Sequence, residues 1–399
     1  MEFESMFKLS GKVVFILSPN KWGKMKLSKH HYAITLANLG NRVFFIEPPD
    51  LSLEKKMSIQ SVTEYPGLFI VSYRPFLRGK RFLPAFIIKR LLKKQVAILK
   101  KAIQYKPDLV MSFDPCRFEN LKWFGATYSI YFAADLYPPG SVPGEVTSAD
   151  ICFGVSPTIV EQLKKNNSFS YFIHHGLNTD FELLAQKRLE DQSPRASNKT
   201  VTVGYIGNLL MGALDRFMMK QVISARPELK FVFWGQYEKK QDHLVAHKKK
   251  DVKDFIDFLE TSRNVELRGP KHQTDLANEI EPVDMFWMCY DLRKSWLWDG
   301  SNSHKILEYL ATGKPVVSHH IATYKNSNLL YMMESNNNDS FAFLFDDVVE
   351  KVKNGEDESL KDKRIKFALS NSYEKHVMEI ASKVDEVMSP ERTANVKSS

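Results

Sequence analysis

Short apolar runs alternate with amphipathic stretches along most of the chain. Lys12-Val13-Val14-Phe15-Ile16-Leu17 has the length of a buried parallel strand. After a loop with Pro19, Trp22 and Gly23, Ser28 is placed to cap a helix carrying His30, His31, Ala33, Ile34, Ala37 and Leu39, stopped near Gly40-Asn41. Arg42-Val43-Phe44-Phe45-Ile46 is the next strand, closed by Glu47-Pro48-Pro49. The connection is long enough for parallel pairing, so the chain opens as β-α-β. Leu68–Ser72, Leu109–Ser112, Tyr128–Tyr131, Ile151–Val155 and Tyr171–Gly176 read as further strands. Between them, Ile88, Leu91, Leu92, Val96, Leu99 and Ile103 recur at helical spacing among lysines and arginines, which predicts a basic amphipathic helix over 82–103.

Gln186 to Thr200 is polar and contains Pro194, the composition of a linker. The same grammar then restarts. Val201–Gly207 is a strand ending in glycine, a helix spans roughly Asp215–Ala225, and Leu229–Gly235 is another strand ending in glycine. Val265–Pro270 and Asp284–Met288 are further strands, with a short helix at Leu276–Ile280 between them. Helices are expected near 341–352 and 359–388, and disorder from Ser389 to Ser399. The pattern predicts an α/β protein with a Rossmann-like domain over 1–185, a linker over 186–200, a second Rossmann-like domain over 201–370, and a helical tail over 371–399.

Ser301 to Ser318 is the most informative local stretch. Ser301, Asn302 and Ser303 are good helix N-caps, Ile306, Leu307 and Leu310 share one face, and Gly313 fits the left-handed C′ position. Pro315 forbids continuation and Val316-Val317 opens a strand. Free amides and a helix dipole at such a start suit an anion.

Composition narrows the class. Hydrophobic content of 43% and charged content of 26% are those of a globular protein. No apolar run approaches the ~18 residues that span a bilayer. Cys116, Cys152 and Cys289 lie far apart, giving neither a disulfide framework nor a metal motif, and no signal peptide is apparent, so a cytoplasmic protein is expected. Charge changes the picture more. The net charge is +9, and no acidic residue occurs between Glu64 and Asp108. That interval favours a nearby anionic surface. No helix-turn-helix, zinc or aromatic-platform motif speaks for nucleic acid.

The second half resembles the GT-B glycosyltransferases of the retaining, glycogen-synthase-like and mannosyltransferase-like kind (family 4 type). The resemblance rests on Val203-Gly204-Tyr205-Ile206-Gly207, on Arg268-Gly269 with Leu276 and Asp284, and above all on Lys305-Ile306-Leu307-Glu308-Tyr309-Leu310-Ala311-Thr312-Gly313-Lys314-Pro315-Val316-Val317. In the first half, Ala149-Asp150, Val155-Ser156 and His175-Gly176 are similar to the run that precedes the family's linker. The resemblance implies two Rossmann-like domains facing a cleft, with a nucleotide-sugar donor bound by the second. Glu308 matches the family's ribose-bonding glutamate. The partner glutamate, separated from it by seven residues, falls at Gly300, with Asp299 adjacent. The family's basic pair for the diphosphate usually follows the first donor-domain strand, where Asn208 stands here, so Arg216, Arg268 and Lys305 are the cationic candidates.

Breaking a sugar–diphosphate bond develops charge on the leaving phosphate, and cations aimed there act on the transition state. Gly207 and Asn208 would admit close backbone approach, with Ser303 and Lys305 supplying a hydroxyl and an ammonium. Glu308 has a plainer alternative as an exposed i,i+3 partner of Lys305. Asp135, after the strand at Tyr128–Phe132, and His31 are the candidates beside the reacting sugar; His30 and His174-His175 are weaker ones. No Asp-x-Asp motif follows an apolar run, so neither a metal nor a cofactor is expected, the nucleotide sugar being a substrate. In the family this part of the acceptor domain commonly meets the membrane, which makes Arg78, Lys80, Arg81, Lys89, Arg90, Lys93 and Lys94 candidates for anionic lipid at the inner face of the cell membrane. The expected reaction is sugar transfer, with retention, to a lipid-linked or cell-surface polysaccharide precursor. A nucleotide-sugar epimerase and a non-catalytic binding protein are the rivals.

Overall fold

The computed structural model describes residues 9–23, 26–75, 83–138, 140–190, 200–237, 250–294 and 302–388. Arg78, Lys80, Arg81, Asp299, Gly300 and Ser301, like the tail from Ser389, lie outside the described residues.

In the first unit β1 (Val13–Leu17) leads through α1 (Ser28–Asn38) to β2 (Arg42–Ile46), with Val14 opposite Val43 in a parallel pair. β3 (Met57–Ser61) and β4 (Leu68–Tyr73) form an antiparallel hairpin, and α2 (Ala85–Ile103) then returns the chain to β5 (Leu109–Ser112). β6 (Tyr128–Ala133), α3 (Gly144–Ser148), β7 (Ile151–Gly154), α4 (Pro157–Lys164) and β8 (Ser170–Phe172) complete an eight-stranded sheet ordered β3-β4-β2-β1-β5-β6-β7-β8. Both faces are covered by apolar side chains, as a parallel sheet requires. The β3 edge is polar and half-exposed, so its apolar signal was too weak to predict a strand.

The second unit begins with α5 (Thr179–Glu190) and β9 (Thr202–Ile206), then α6 (Arg216–Ser224), β10 (Lys230–Trp234), α7 (Lys250–Thr261), β11 (Val265–Gly269), α8 (Gln273–Glu279) and β12 (Met285–Met288). α9 (Lys305–Ala311), β13 (Val316–Ser318), β14 (Tyr331–Met332), α10 (Phe341–Asn354) and α11 (Glu358–Leu369) follow. The sheet order is β11-β10-β9-β12-β13-β14, all parallel. α7 carries the i, i+3, i+4 signal of Val252, Phe255, Ile256 and Leu259, which sequence reading passed over. Arg364 on α11 is 1% exposed; it grips Glu356 with two bonds of 2.6 Å and donates to the Leu329 carbonyl at 3.0 Å. It also reaches the Gly313 carbonyl at 3.3 Å, anchoring the end of α9.

The domain boundaries differ from those expected. The chain leaves the first unit between His174 and His175, and returns to it between Ser372 and Tyr373. Residues 175–185 therefore belong to the second unit, because Leu177, Phe181 and Ala185 bury in its core. Residues 186–190 continue α5 rather than forming a linker. The helix expected over 359–388 is broken: the Leu177 N–H takes the Asn371 carbonyl at 2.8 Å in an extended bridge that a helix cannot share. The final helix α12 (Tyr373–Met388) buries Tyr373, Val377, Ile380 and Val384 in the first unit, so it is no separate tail.

Candidate functional site

Ligands of open α/β sheets sit beyond the C-terminal ends of the strands. In the second unit that edge is built from β9, β10, the segment after β12, and α9. Gly235 has φ +140°, and a Cβ there would stand 1.8 Å from the Gly207 carbonyl oxygen, so the ends of β9 and β10 touch backbone to backbone. A Cβ on Gly207 would stand 2.6 Å from the Tyr205 hydroxyl. Tyr309 ties α9 to the same place: the Ile206 N–H donates to its hydroxyl at 2.8 Å, and the hydroxyl donates to the Ile206 carbonyl at 3.2 Å.

α9 ends as expected, with Gly313 at φ +72° packed against Lys361 and Ile365. Its start differs. The N-cap is His304, which makes no side-chain cap bond, and Ser303 Oγ accepts the Lys305 N–H at 3.4 Å. Glu308 is not on an exposed face. It is 3% exposed, accepting from Lys305 Nζ at 3.1 Å and from Asn178 Nδ2 at 3.4 Å. Both the ion pair and the burial are present, so a carboxylate with remaining acceptor capacity is held between Lys305 and Asn178, at the start of α5. Tyr290, just after β12, is hydrogen-bonded to Ser303 and Tyr205; burial pushes its phenol up to about 12 against those two bonds.

Arg216 opens α6 and is 5% exposed. Nη2 donates to the Met211 carbonyl at 2.7 Å and Nη1 meets Asp251 at 3.1 Å, while Nε has no partner. Burial lowers its basicity, opposed by Asp251. Asn208 is exposed and closes the turn by accepting the Leu210 N–H at 2.9 Å. Arg268 is brought elsewhere. It sits on the outer strand β11, with β10 and β9 between it and β12, bonded to Glu266 at 2.6 Å, near Glu279, and over the Trp234 ring. Its place on that edge strand sets it apart from Lys305 and Glu308 on α9, which Tyr309 ties to β9.

His175 Nε2 donates to the Asn302 carbonyl at 2.5 Å, bracing the start of the 302–305 segment. Burial lowers its imidazole from 6.5 to about 4. The folded ring is therefore neutral while the unfolded ring takes a proton first, so this stability is complete above about pH 6.5 and is lost as pH falls towards 4. His175→Gln keeps a donor without titrating. Its unfolding free energy should fall less steeply than that of the wild type between about pH 6 and 4.5, by up to about 1.4 kcal/mol per pH unit. Parallel denaturation profiles would count against this.

In the first unit Asp135 follows β6 and is exposed, and the charge of Lys29, on the first turn of α1, favours its ionised form. Lys29 is itself lowered by burial and held up by Asp135 and Asp114. The pair was not foreseen, because the two residues meet only in the fold. Ser28 does not cap α1. His30 does so from inside, its Nδ1 accepting the Leu27 N–H at 3.0 Å while its Nε2 bonds the Lys21 carbonyl at 3.1 Å. His31 stacks on Tyr373 of α12 at 4.9 Å, and burial lowers it to about 4. That placement favours packing over the role expected beside the sugar. His174 packs edge-on against Phe172. Among the described residues no group of His, Cys, Asp and Glu could hold a metal.

No family model and no curated protein matches the sequence. Solved structures do match. A glycosyltransferase from Rickettsia africae ESF-5 aligns over 95% of this chain and 99% of its own, with a TM-score of 0.63 at 15% identity. The chain has the GT-B fold. This GT-B chain is also similar to HepE of Anabaena in complex with UDP-glucose (93% and 99% covered, TM-score 0.60, 13% identity). A sucrose-phosphate synthase of Thermosynechococcus elongatus is likewise similar (94% and 99% covered, TM-score 0.64, 10% identity). At these identities the likeness carries the fold alone.

Proposed function

We propose that the chain is a glycosyltransferase that takes its sugar from a nucleotide-sugar donor bound by the second unit. The observation that carries this reading is Glu308: a carboxylate 3% exposed, paired with Lys305, on the helix that Tyr309 ties to the glycine-ended strand β9. A ribose diol would take its remaining acceptor sites, and Lys305 with the partnerless Nε of Arg216 would meet charge developing on the leaving diphosphate. Gly207 and Asn208 would border the nucleotide and Ser303 would hold the donor segment through Tyr290. The GT-B neighbours support this, HepE having been crystallised with UDP-glucose. Asp135 is our candidate beside the reacting sugar, with Lys29 holding it towards its ionised form. Retention, and a lipid-linked or surface-polysaccharide precursor as acceptor, complete the proposal. A thermal-shift panel of UDP, GDP and ADP sugars tests the donor: stabilisation by one base class supports the reading, and no shift with any of them would remove it.

The proposed acceptor side includes the membrane. No described helix is long and apolar enough to cross one. α2 starts at Ala85, after Pro84, and buries Leu92, Val96, Leu99 and Ile103 in the first unit. Its other face exposes Lys89, Arg90, Lys93 and Lys94, with Phe86 73% exposed in the first turn. Cations beside an exposed aromatic suit an anionic lipid surface, at about 1 kcal/mol per cation near it. Changing those four cations to Glu should abolish flotation with phosphatidylserine-containing liposomes; equal flotation would sink the membrane assignment.

A further inference from the structure

Two helices, one in each unit, carry outer faces of the same layout and opposite charge. Phe343, in the first turn of α10, is the most exposed large apolar side chain among the described residues, at 79%. Asp346, Asp347 and Glu350 follow it at i+3, i+4 and i+7, all exposed, so the four side chains share one side of the helix. The other side buries Phe341, Phe345, Val348 and Val349 in the second unit. On α2, Phe86 stands in the first turn, and exposed Lys89, Arg90 and Lys93 follow it at the same spacings.

The two faces differ in how their charge is met. On α10, Lys351 pairs with Asp347, and Lys353 with Glu350 at 2.9 Å, while Arg226 grips Asp346 at 2.6 and 2.7 Å. The two lysine pairs are exposed to water, where such pairs are weak and exchange partners readily. Asp347 and Glu350 are therefore open to a stronger cationic partner. α2 has no acid of its own, and none occurs between Glu64 and Asp108. Each face also leaves a phenyl ring in water, which is the kind of anchor that a protein contact buries first.

We propose that α10 of one copy of this chain docks on α2 of a second copy. With the first turns side by side, Phe343 and Phe86 cover one another, and Asp347 and Glu350 meet Lys89, Arg90 and Lys93. The two faces are different surfaces, so the contact is head-to-tail. It stands independently of the donor site. One consequence rests on the membrane reading of α2: a copy held through α2 cannot lay that face on lipid, so self-association and membrane attachment exclude one another.

Sedimentation velocity of the full chain tests this. In about 50 mM salt the weight-average sedimentation coefficient should rise with protein concentration, and the rise should weaken in about 500 mM salt, where charges are screened within a few ångströms. Lys89→Glu with Lys93→Glu should lower the association constant at least about tenfold, and so should Asp347→Lys with Glu350→Lys. All four side chains are exposed, so the variants keep their packed cores. A chain carrying both reversals should regain association. One species at every concentration, association that either reversal leaves unchanged, or no recovery in the combined chain would overturn the proposal. Flotation with phosphatidylserine vesicles separates this contact from the lipid one: the α10 reversal leaves α2 intact and should float at least as well as the wild type. Weaker flotation of that variant would overturn the mutual exclusion.

Discussion

Glu308→Ala is expected to lower nucleotide-sugar affinity by at least about a hundredfold. Hydrogen bonds to a charged acceptor are worth about 1.5–3 kcal/mol each, and a ribose diol would make two of them. The substitution also strands Lys305 Nζ and Asn178 Nδ2, which should cost about 1–3 kcal/mol of stability in the second unit. Glu308→Gln separates the two effects: it keeps the volume and an acceptor for Asn178, so stability should largely recover while affinity stays low. Calorimetric titration with the nucleotide sugar that stabilises the wild type decides it. Binding by Glu308→Ala within about twofold of wild type would refute the ribose assignment.

Gly235→Ala should be the most damaging single-methyl change in the second unit. At φ +140° an L side chain is strained wherever it points, and here its Cβ would lie 1.8 Å from the Gly207 carbonyl oxygen. Backbone cannot give way as a flexible side chain can. Gly207 donates to the Trp234 carbonyl at 2.8 Å and Gly235 to the Gly269 carbonyl at 2.9 Å, so three strand ends must shift together. A loss of more than about 3 kcal/mol is expected, with loss of donor binding. Trp234 and Trp287, both fully buried in this unit, report its unfolding by fluorescence in a denaturant series. A cost under about 1 kcal/mol would contradict the close approach of β9 and β10.

Local rules made much of this legible. The buried strands of both sheets announce themselves as apolar runs, and the end of α9 follows from Gly313 alone. The Lys305–Glu308 ion pair was also visible, being three residues apart, though its burial was not. Burial depends on Asn178 and α5, brought up from 130 residues away. The same limit hid the place of α12. Its His376 bonds Tyr32 from 344 residues downstream, and nothing in the helical pattern of either segment names the other. Arg268 shows the converse failure: a cation beside a glycine reads as a phosphate ligand until the fold supplies Glu279 and Trp234 as its partners. The burial of Glu145 was silent for a related reason. A glutamate in a five-residue helix looks solvated until Gly144 seats it against Glu119.

The most direct test of the central claim is nucleotide release from a panel of nucleotide sugars incubated with the protein, with and without membrane extract as acceptor source. The account predicts free nucleoside diphosphate from one base class, faster with the extract, and absent in Glu308→Ala. Interconversion of the sugar with its nucleotide still attached, or no release from any donor, would contradict it.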